Sequence, residues 1–310
     1  MPPFNLGHLA NFVRIAELQN LSKAAAVVRI AQPALSRQVR NLEIEIGSPL
    51  LTRHAWGVSL TPAGETLLVH ARRMLREAEN ARDALQALSA EPSGRVALGV
   101  PVSIARALVP PLAEALSRRF PKIRPHFVDG FSANLHSRML AGELDLAVLY
   151  EDRSIGPLVT APLLAESLAL IGPAGGEVEG ATTASMLRDR RLILPARPNR
   201  LRLIVEEALA GGSDPTDSVI EVDSLVSIIT LVERSVGYTV LPFSAVSEEA
   251  KRGAVSVSEL RFPQLSRTLL LAHPVQRQPT AALGAVEAEL RALIDAFAPS
   301  LRWIPLGSPD

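Results

Sequence analysis

The chain has 310 residues, 32 basic and 32 acidic side chains, and no cysteine. This length predicts two or three domains, and a hydrophobic fraction of 47% is sufficient for buried cores. The lack of cysteine excludes disulfide scaffolds, thiol nucleophiles, iron–sulfur clusters and cysteine-ligated zinc. Because the sequence contains neither a long apolar run nor a secretory leader pattern, we expect a cytoplasmic protein that does not enter the membrane.

The net charge of zero argues weakly against nucleic-acid binding, since such proteins usually carry a basic surplus. The charge is unevenly distributed, however. Residues 1–62 carry six basic and three acidic side chains, so this segment has a net charge of +3 and the remainder −3. A modest basic surplus in residues 1–62, here called the head, suits a protein that places several copies of this head on one DNA duplex.

The first 60 residues predict short helices. Ser22 is predicted to cap a helix over residues 23–29, and Pro33 to occupy the first position of another helix that ends at Gly47. This pair predicts a helix–turn–helix whose second helix could enter a major groove. The polar face of that helix carries Gln32, Ser36, Arg37 and Arg40. An ordinary helical pair with a solvated charged face is the alternative at this point.

Residues 50–53 and 58–60 predict a small β-hairpin, after which Thr61 and Pro62 begin a helix that continues to about residue 90. Apolar residues recur along this helix with alternating spacings of four and three, which predicts a seam with a second chain. The seam residues are Leu67, Ala71, Met74, Ala78, Ala81, Leu85 and Leu88. A helix–turn–helix followed by a β-hairpin wing and a long dimerisation helix favours the DNA-binding interpretation of the helical pair.

Residues 95–300 alternate strand-like and helical segments, which predicts a parallel α/β sheet divided between two lobes. The C-terminal tail, residues 301–310, is expected to be loosely held or to dock on a neighbour. Ligands of such folds bind in a crevice beyond the strand ends. The candidate lining residues are Val102, Ser103, Phe131, Ser132, Pro195, Arg197, Asn199, Asp223 and Ser224.

Two of these candidates have competing interpretations. Ser103 offers its hydroxyl to an anion or caps its own helix, and Arg197 pairs with a ligand carboxylate or is a surface arginine.

No metal is predicted, because the six histidines are not at metal-ligand spacing. No phosphate-binding loop or nucleophile elbow is present either, so we expect neither an enzyme nor a cofactor.

These motifs together resemble the LysR-type transcriptional regulators. The resemblance in the head rests on LSKAAA at 21–26, AQPALSRQV at 31–39, LE at 42–43, Gly47, PLLTR at 49–53 and LTPAG at 60–64. It continues through LVP at 108–110, FP at 120–121, GELDLA at 142–147 and GYTVLP at 237–242. Within this family, AVLY at 147–150 and ILP at 193–195 resemble the nitrogen assimilation control branch.

The resemblance implies an all-α winged helix–turn–helix head and a long linker helix, followed by a two-lobed α/β effector domain like periplasmic binding proteins. The implied boundaries are 1–61 for the head, 62–91 for the linker helix, 95–163 with 267–300 for lobe 1, and 164–266 for lobe 2. Gln32, Pro33, Ser36, Arg37 and Arg40 would then belong to the recognition helix and Arg53 to the wing. Ser22 is grouped with these DNA-contacting residues.

Trp56 departs from the family pattern at the wing tip. It either lies along a sugar–phosphate edge or, in the preferred interpretation, packs on the surface of the head itself.

The resulting hypothesis is a regulator that binds an interrupted inverted repeat of double-stranded DNA as a dimer or a tetramer (a dimer of dimers). A small organic anion in the cleft would gate it, and RNA polymerase is a further partner to consider. One alternative is a regulator without an effector, switched by abundance or oligomeric state. Another is a small-molecule-binding module or enzyme whose helical head serves only for association.

Overall fold

The computed structural model describes residues 4–87, 91–151, 156–176, 184–209, 219–260, 265–275 and 280–306. Its helices are α1 (Leu6–Leu18), α2 (Leu21–Val28), α3 (Gln32–Ile46), α4 (Pro62–Ala87), α5 (Val102–Arg119), α6 (Ser132–Leu140), α7 (Ala184–Arg188), α8 (Arg200–Leu209), α9 (Leu225–Glu233), α10 (Phe243–Lys251) and α11 (Ala281–Leu301). Its strands are β1 (Leu51–His54), β2 (Gly57–Leu60), β3 (Gly94–Pro101), β4 (Ile123–Gly130), β5 (Leu146–Tyr150), β6 (Leu158–Pro173), β7 (Leu192–Leu194), β8 (Val219–Glu221), β9 (Thr239–Pro242), β10 (Val255–Glu259), β11 (Ser266–Pro274) and β12 (Trp303–Pro305).

The head contains the expected helix–turn–helix, with a different cap on its first helix. Asn20, not Ser22, caps α2, because the Asn20 side chain accepts a hydrogen bond from Lys23 N at 2.9 Å. Ser22 therefore lies inside the first turn and is exposed. Helix α3 begins one residue earlier than predicted, so that Pro33 is its second residue. It ends as expected at Gly47, whose φ of +76° suits glycine.

Helix α4 leaves the head by packing along α1. Thr61 caps it by accepting a hydrogen bond from Gly64 N at 3.0 Å, as the sequence predicted. Leu67 and Ala71 are buried in one apolar cluster with Leu9 and Phe12 of α1. The first two residues of the predicted seam are therefore covered within their own chain, which limits any seam between chains to the part of α4 beyond them.

The sheet of the C-terminal region is mixed, so the expectation of a parallel sheet is wrong. Strand β3 pairs in parallel with β4 and β5, as helical crossovers require. Strand β11, in contrast, runs antiparallel to both β5 and β6. The reason is that β6 carries the chain from lobe 1 to lobe 2 and β11 carries it back. The two strands therefore run side by side in opposite directions.

The 16-residue strand β6 is shared between the two lobes. Its first part pairs with β11 and its last part with β9 and β10. One core lies between the lobe 1 sheet and helices α5 and α11, and includes Leu98, Leu108 and Leu290. A separate core in lobe 2 surrounds Ile193, Val205 and Val240. Each lobe therefore has its own hydrophobic core, and β6 and β11 connect them.

The expectation of a loose C-terminal tail is wrong for the residues that the structure describes there. Trp303–Pro305 form β12, which pairs antiparallel with β6. Leu306 N also donates to Leu163 O at 3.0 Å. The indole of Trp303 is buried in the lobe 1 core, and this apolar burial holds the strand in place. Residues 307–310 of the predicted tail lie outside the described residues.

Candidate functional site

Helix α3 separates an apolar face from a polar one. Leu35, Val39 and Leu42 are buried in the head, and they fix the orientation of the helix on α1 and α2. Three of the predicted DNA-contacting side chains, Gln32, Arg37 and Arg40, are exposed on α3, as is Pro33. This exposed basic surface has the dimensions and charge that a major groove admits.

The wing is hydrogen-bonded to the recognition helix. Arg53 lies on β1, and its Nη2 donates to Ser36 Oγ at 2.7 Å. Both residues were predicted to contact DNA, and the fold brings them together although they are 17 positions apart. The wing arginine and the helix α3 surface therefore form one continuous face.

Trp56 occupies the tip of the wing and is 83% exposed. Its indole stacks on His54, with ring centroids 5.2 Å apart and an interplanar angle of 8°. His54 Nε2 is in turn 2.8 Å from Ser59 Oγ on the opposite strand. The expected packing of Trp56 on the body of the head is wrong, because the short hairpin places its tip beyond the helices.

Three arginines of α4 dock on lobe 1. Arg72 is paired with Glu143, Arg73 donates to the carbonyl of Leu140, and Arg76 Nη1 lies 2.5 Å from Asp145 Oδ1. All three contacts fall at or just after the end of α6. The partners of Glu143 and Asp145 could not be predicted from the sequence, because pairing across 69 to 71 residues follows no local spacing.

A cavity of about 320 Å³ lies between the two lobes, beyond the ends of β3, β4, β7 and β8. Seven of the nine predicted cleft residues line it. They are Val102, Ser103, Phe131, Ser132, Pro195, Asn199 and Asp223. Residues that follow the strand ends of lobe 1 and of lobe 2 therefore line the same cleft, as predicted.

The other two predicted residues, Arg197 and Ser224, have different roles. Arg197 is engaged by Glu206 of α8, with Nε and Oε2 3.0 Å apart. Burial would raise the pKa of Glu206, but hydrogen bonds from Arg202 and Arg197 outweigh it and hold that pKa below its usual range. Ser224 caps α9 by accepting from Ser227 N. The prediction of Arg197 as the ligand's carboxylate partner therefore lacks structural support.

A buried polar network, missed by the sequence analysis, forms one wall of the cleft. Arg267 Nη2 donates to Glu166 Oε1 at 2.7 Å, and Ser244 Oγ donates to the other oxygen at 3.2 Å. Tyr150 Oη donates to Glu166 Oε1 at 3.3 Å and lies 2.5 Å from Ser103 Oγ. Burial raises the pKa of Tyr150 well above its usual value, so its hydroxyl stays protonated.

The network corrects the interpretation of Ser103 as a helix cap. The residue before α5 is Pro101, and Ser103 lies within the first turn, with its hydroxyl turned to Tyr150. The one signal for this network in the sequence is that Tyr150 ends the apolar run of β5. Glu166 and Arg267 are directly opposed on β6 and β11, and that register could not be derived from the sequence.

Two protein families match the two regions of the chain. Residues 6–65 match the bacterial regulatory helix-turn-helix protein, lysR family. Residues 89–295 match the LysR substrate binding domain. The chain is a member of the LysR family. It is accordingly a DNA-binding transcriptional regulator with an effector-binding domain, and not an enzyme.

Individual LysR-family proteins resemble the whole chain. The nitrogen assimilation regulatory protein nac of Escherichia coli K12 is 33% identical, covering 94% of this chain and 96% of its own. The nac protein of Klebsiella aerogenes is 34% identical, with 86% and 88% covered. Both support the narrower resemblance to the nitrogen assimilation branch. A full-length OxyR variant from Pseudomonas aeruginosa has the same fold, with a TM-score of 0.77, 25% identity and full coverage of both chains.

None of the described helices is long and apolar enough to cross a membrane. Within the same residues, no group of three or more histidine, aspartate or glutamate side chains is arranged to hold a metal ion.

Proposed function

We propose that this LysR-family regulator reads an interrupted inverted repeat with helix α3 and the β1–β2 wing, and that a small molecule in the interlobe cleft alters the angle between its heads. The observation that carries the DNA-binding part is the continuous exposed face of α3, joined to the wing by the Arg53–Ser36 hydrogen bond. DNA is the target, so the protein acts in the cytoplasm.

The side chains on this face divide by chemistry. Gln32, Arg37 and Arg40 are long and exposed enough to reach base edges in a major groove. Arg53, held beside the helix, is positioned to bind a backbone phosphate and to set the register of α3. Ser22 and Pro33 lie in the first turns of α2 and α3, where backbone N–H groups meet phosphates.

We propose domain boundaries at 61/62 and about 91, with lobe 1 formed by 95–163 and 267–306 and lobe 2 by 164–266. The separate cores of the two lobes support this division. The extension of lobe 1 to residue 306 follows from the burial of Trp303 in the lobe 1 core and from the hydrogen bond of Leu306 N to Leu163 O.

Dimerisation is proposed through the part of α4 that lies beyond the head. Ala78 is half-buried and Ala81 is exposed, so this stretch offers small side chains to a second helix. Met74 is half-buried and packs against the apolar cluster of the head. The side chain of Leu85 and the whole of Leu88 lie outside the described residues. Introducing charge with Ala81→Glu should convert the oligomer into monomers in multi-angle light scattering, whereas Ala81→Ser should not. A second contact, between effector domains, would generate the tetramer.

Helix α6 supplies a route from the cleft to the head. Its first residue, Ser132, lines the cleft and accepts a hydrogen bond from Tyr150 N at 3.1 Å. Its last residue, Leu140, is contacted by Arg73 of α4. A nine-residue helix is about 14 Å long. If a ligand shifts the first turn of α6, the last turn moves with it and displaces the contact with the linker helix.

The DNA-binding proposal is tested with Arg37→Ala in the full-length chain. A gel shift on footprinted promoter DNA should show loss of the specific complex while circular dichroism stays native. Arg118→Ala is a matched control, since Arg118 is also exposed on a helix but belongs to the effector domain. Unchanged binding by Arg37→Ala would reject the assignment of α3 as the recognition helix.

An effector-independent regulator remains the second candidate, because the charged groups of the buried network, Arg267 and Glu166, already pair with each other. The two candidates differ in one measurement. If ligand binding in the cleft leaves DNA affinity and the spacing of DNase I protection unchanged, regulation by abundance or oligomeric state is favoured.

A further inference from the structure

The positive charges that line the cleft are already neutralised by the protein itself. Arg267 forms a buried ion pair with Glu166 at 2.7 Å, and its guanidinium covers the Tyr150 ring at 3.9 Å. Its Nε is buried from solvent and has no hydrogen-bond partner among the described residues. Arg200 is paired with Glu207 at 3.2 Å. Both arginines therefore already have a carboxylate partner within the protein.

Two carboxylates in the same cleft lack this compensation. Glu151 follows β5 in lobe 1, and Asp223 follows β8 in lobe 2. Among the described residues, neither carboxylate forms an ion pair with an arginine or lysine. Asp223 Oδ1 accepts one backbone hydrogen bond, from Ala196 N at 3.0 Å, and this leaves Oδ2 for a ligand. Within the part of the chain that the structure describes, the charge of the cleft that lacks an ion-pair partner is therefore negative and comes from both lobes.

The buried network also fixes the polarity of Ser103. A carboxylate only accepts hydrogen bonds, so Tyr150 donates its proton to Glu166. Ser103 must then donate to the Tyr150 oxygen, which leaves only lone pairs of Ser103 Oγ for the cleft. A ligand group at this position is consequently required to donate a hydrogen bond. A carboxylate there would face an acceptor instead of a donor.

The remaining lining is largely apolar. Phe131 is 39% exposed, and Leu225 and Ile228 extend the apolar surface from lobe 2. A hydrocarbon body would bury its surface here, and an aromatic face also attracts a cation.

From this arrangement we infer that the effector is a small amine, a protonated nitrogen on an apolar body, in place of the organic anion expected from the sequence. The ammonium group lies between Glu151 and Asp223, with its N–H groups available to Ser103 Oγ, and the hydrocarbon body lies on Phe131 and Leu225. This inference rests on the proposed function of the cleft as the effector site.

The test compares three probes of equal ring size, cyclohexylamine, cyclohexanol and cyclohexanecarboxylate, on the full-length protein by calorimetry and thermal shift. All measurements are made at pH 8. The amine should bind about tenfold more tightly than the carboxylate, with the alcohol between them. Binding should raise the melting temperature in the same order.

Glu151→Gln and Asp223→Asn should each weaken the amine about fivefold and leave the alcohol unchanged. Asparagine keeps the oxygen that accepts from Ala196, so the loop is preserved. Glu248→Gln is the matched control, because Glu248 is an exposed carboxylate outside the cleft, and it should change nothing.

Tighter binding of the carboxylate, amine binding unaffected by both cleft variants, or no binding of any probe would overturn the inference. DNA binding of the same preparations is followed by fluorescence anisotropy. Carboxylate binding that changes DNA affinity would leave the proposed gating intact while rejecting the amine. Amine binding that does not change DNA affinity would support the ligand class and reject the gating.

Discussion

Arg76 of the linker helix and Asp145 of lobe 1 form an ion pair at 2.5 Å, and the second carboxylate oxygen of Asp145 accepts from Ala97 N at 2.7 Å. Asp145 is 2% exposed, so one buried carboxylate joins α4 to β3, the central parallel strand of the lobe 1 sheet. Together with the contacts of Arg72 and Arg73, this pair fixes how the linker helix lies on the effector domain.

Removal of Arg76 should therefore destabilise the protein. Arg76→Ala deprives the buried Asp145 carboxylate of the Arg76 cation, and breaking such a pair costs about 3 kcal/mol in the free energy of unfolding. Urea unfolding followed by circular dichroism measures the loss. Asp145→Asn in the Arg76→Ala background should recover part of it, because the amide oxygen still accepts from Ala97 and carries no charge. Arg82→Ala, at an exposed position of α4, should have no effect. Equal stability of Arg76→Ala and Arg82→Ala would contradict the buried pair.

The hydrogen bond between Arg53 and Ser36 predicts different effects of the two residues on DNA binding. Arg53→Ala should weaken binding on all sequences and lower the slope of log affinity against log salt by about one, since it removes one phosphate contact. Ser36→Ala removes only the link between wing and helix, so affinity should fall less and the slope should be retained. Fluorescence anisotropy across a salt series measures both quantities. Identical slopes for wild type and Arg53→Ala would place Arg53 away from the phosphates.

The two tryptophans of the chain allow the wing tip to be observed directly. Trp303 is buried and Trp56 is exposed, so Trp303→Phe leaves a single reporter on the wing. In the free protein its emission should be red-shifted and readily quenched by acrylamide. Bound DNA should reduce the quenching if the indole meets the sugar–phosphate edge. Blue-shifted emission before DNA is added would show that Trp56 is packed against protein.

The raised pKa of Tyr150 predicts a decline of stability in alkali. A group whose pKa is higher in the folded state contributes stability that is fully present below its unfolded pKa of about 10. Above this pH, the Tyr150 hydroxyl ionises in the unfolded chain before it does so in the folded protein. The stability therefore declines with rising pH until the folded-state pKa is reached. Wild-type protein should therefore lose more stability between about pH 9 and 11 than Tyr150→Phe, whose ring cannot ionise. Urea unfolding at each pH measures this difference, and parallel pH profiles of the two proteins would refute it.

Local elements were largely predictable. The helix–turn–helix, the hairpin, the start of α4 and most strands of the effector domain follow from apolar spacing, Pro at helix starts and Gly47 at a helix end. Strands β10 and β12 and the first part of β6 were not predictable, because they are stabilised by partners elsewhere in the chain. The mixed order of the sheet was missed because the direction of β11 depends on the path between the lobes.

The candidate sites divide in the same way. Strand ends located the cleft and seven of its residues, since side chains that follow parallel strands meet at one edge. The charge of the cleft was not predictable. It depends on which arginines are already neutralised, and the pairing of Arg267 with Glu166 is set by the antiparallel register of β6 and β11.

The sequence by itself determined the family, the order of the domains and which face of α3 is exposed, because each of these depends on residues a few positions apart in the chain. The tertiary structure alone decided that Arg197 is engaged by Glu206, that the cleft retains negative charge, and that Arg76 reaches Asp145. The physical reason is that ion pairing depends on distances of a few ångströms between elements that are far apart in the chain, and only the packed fold sets those distances.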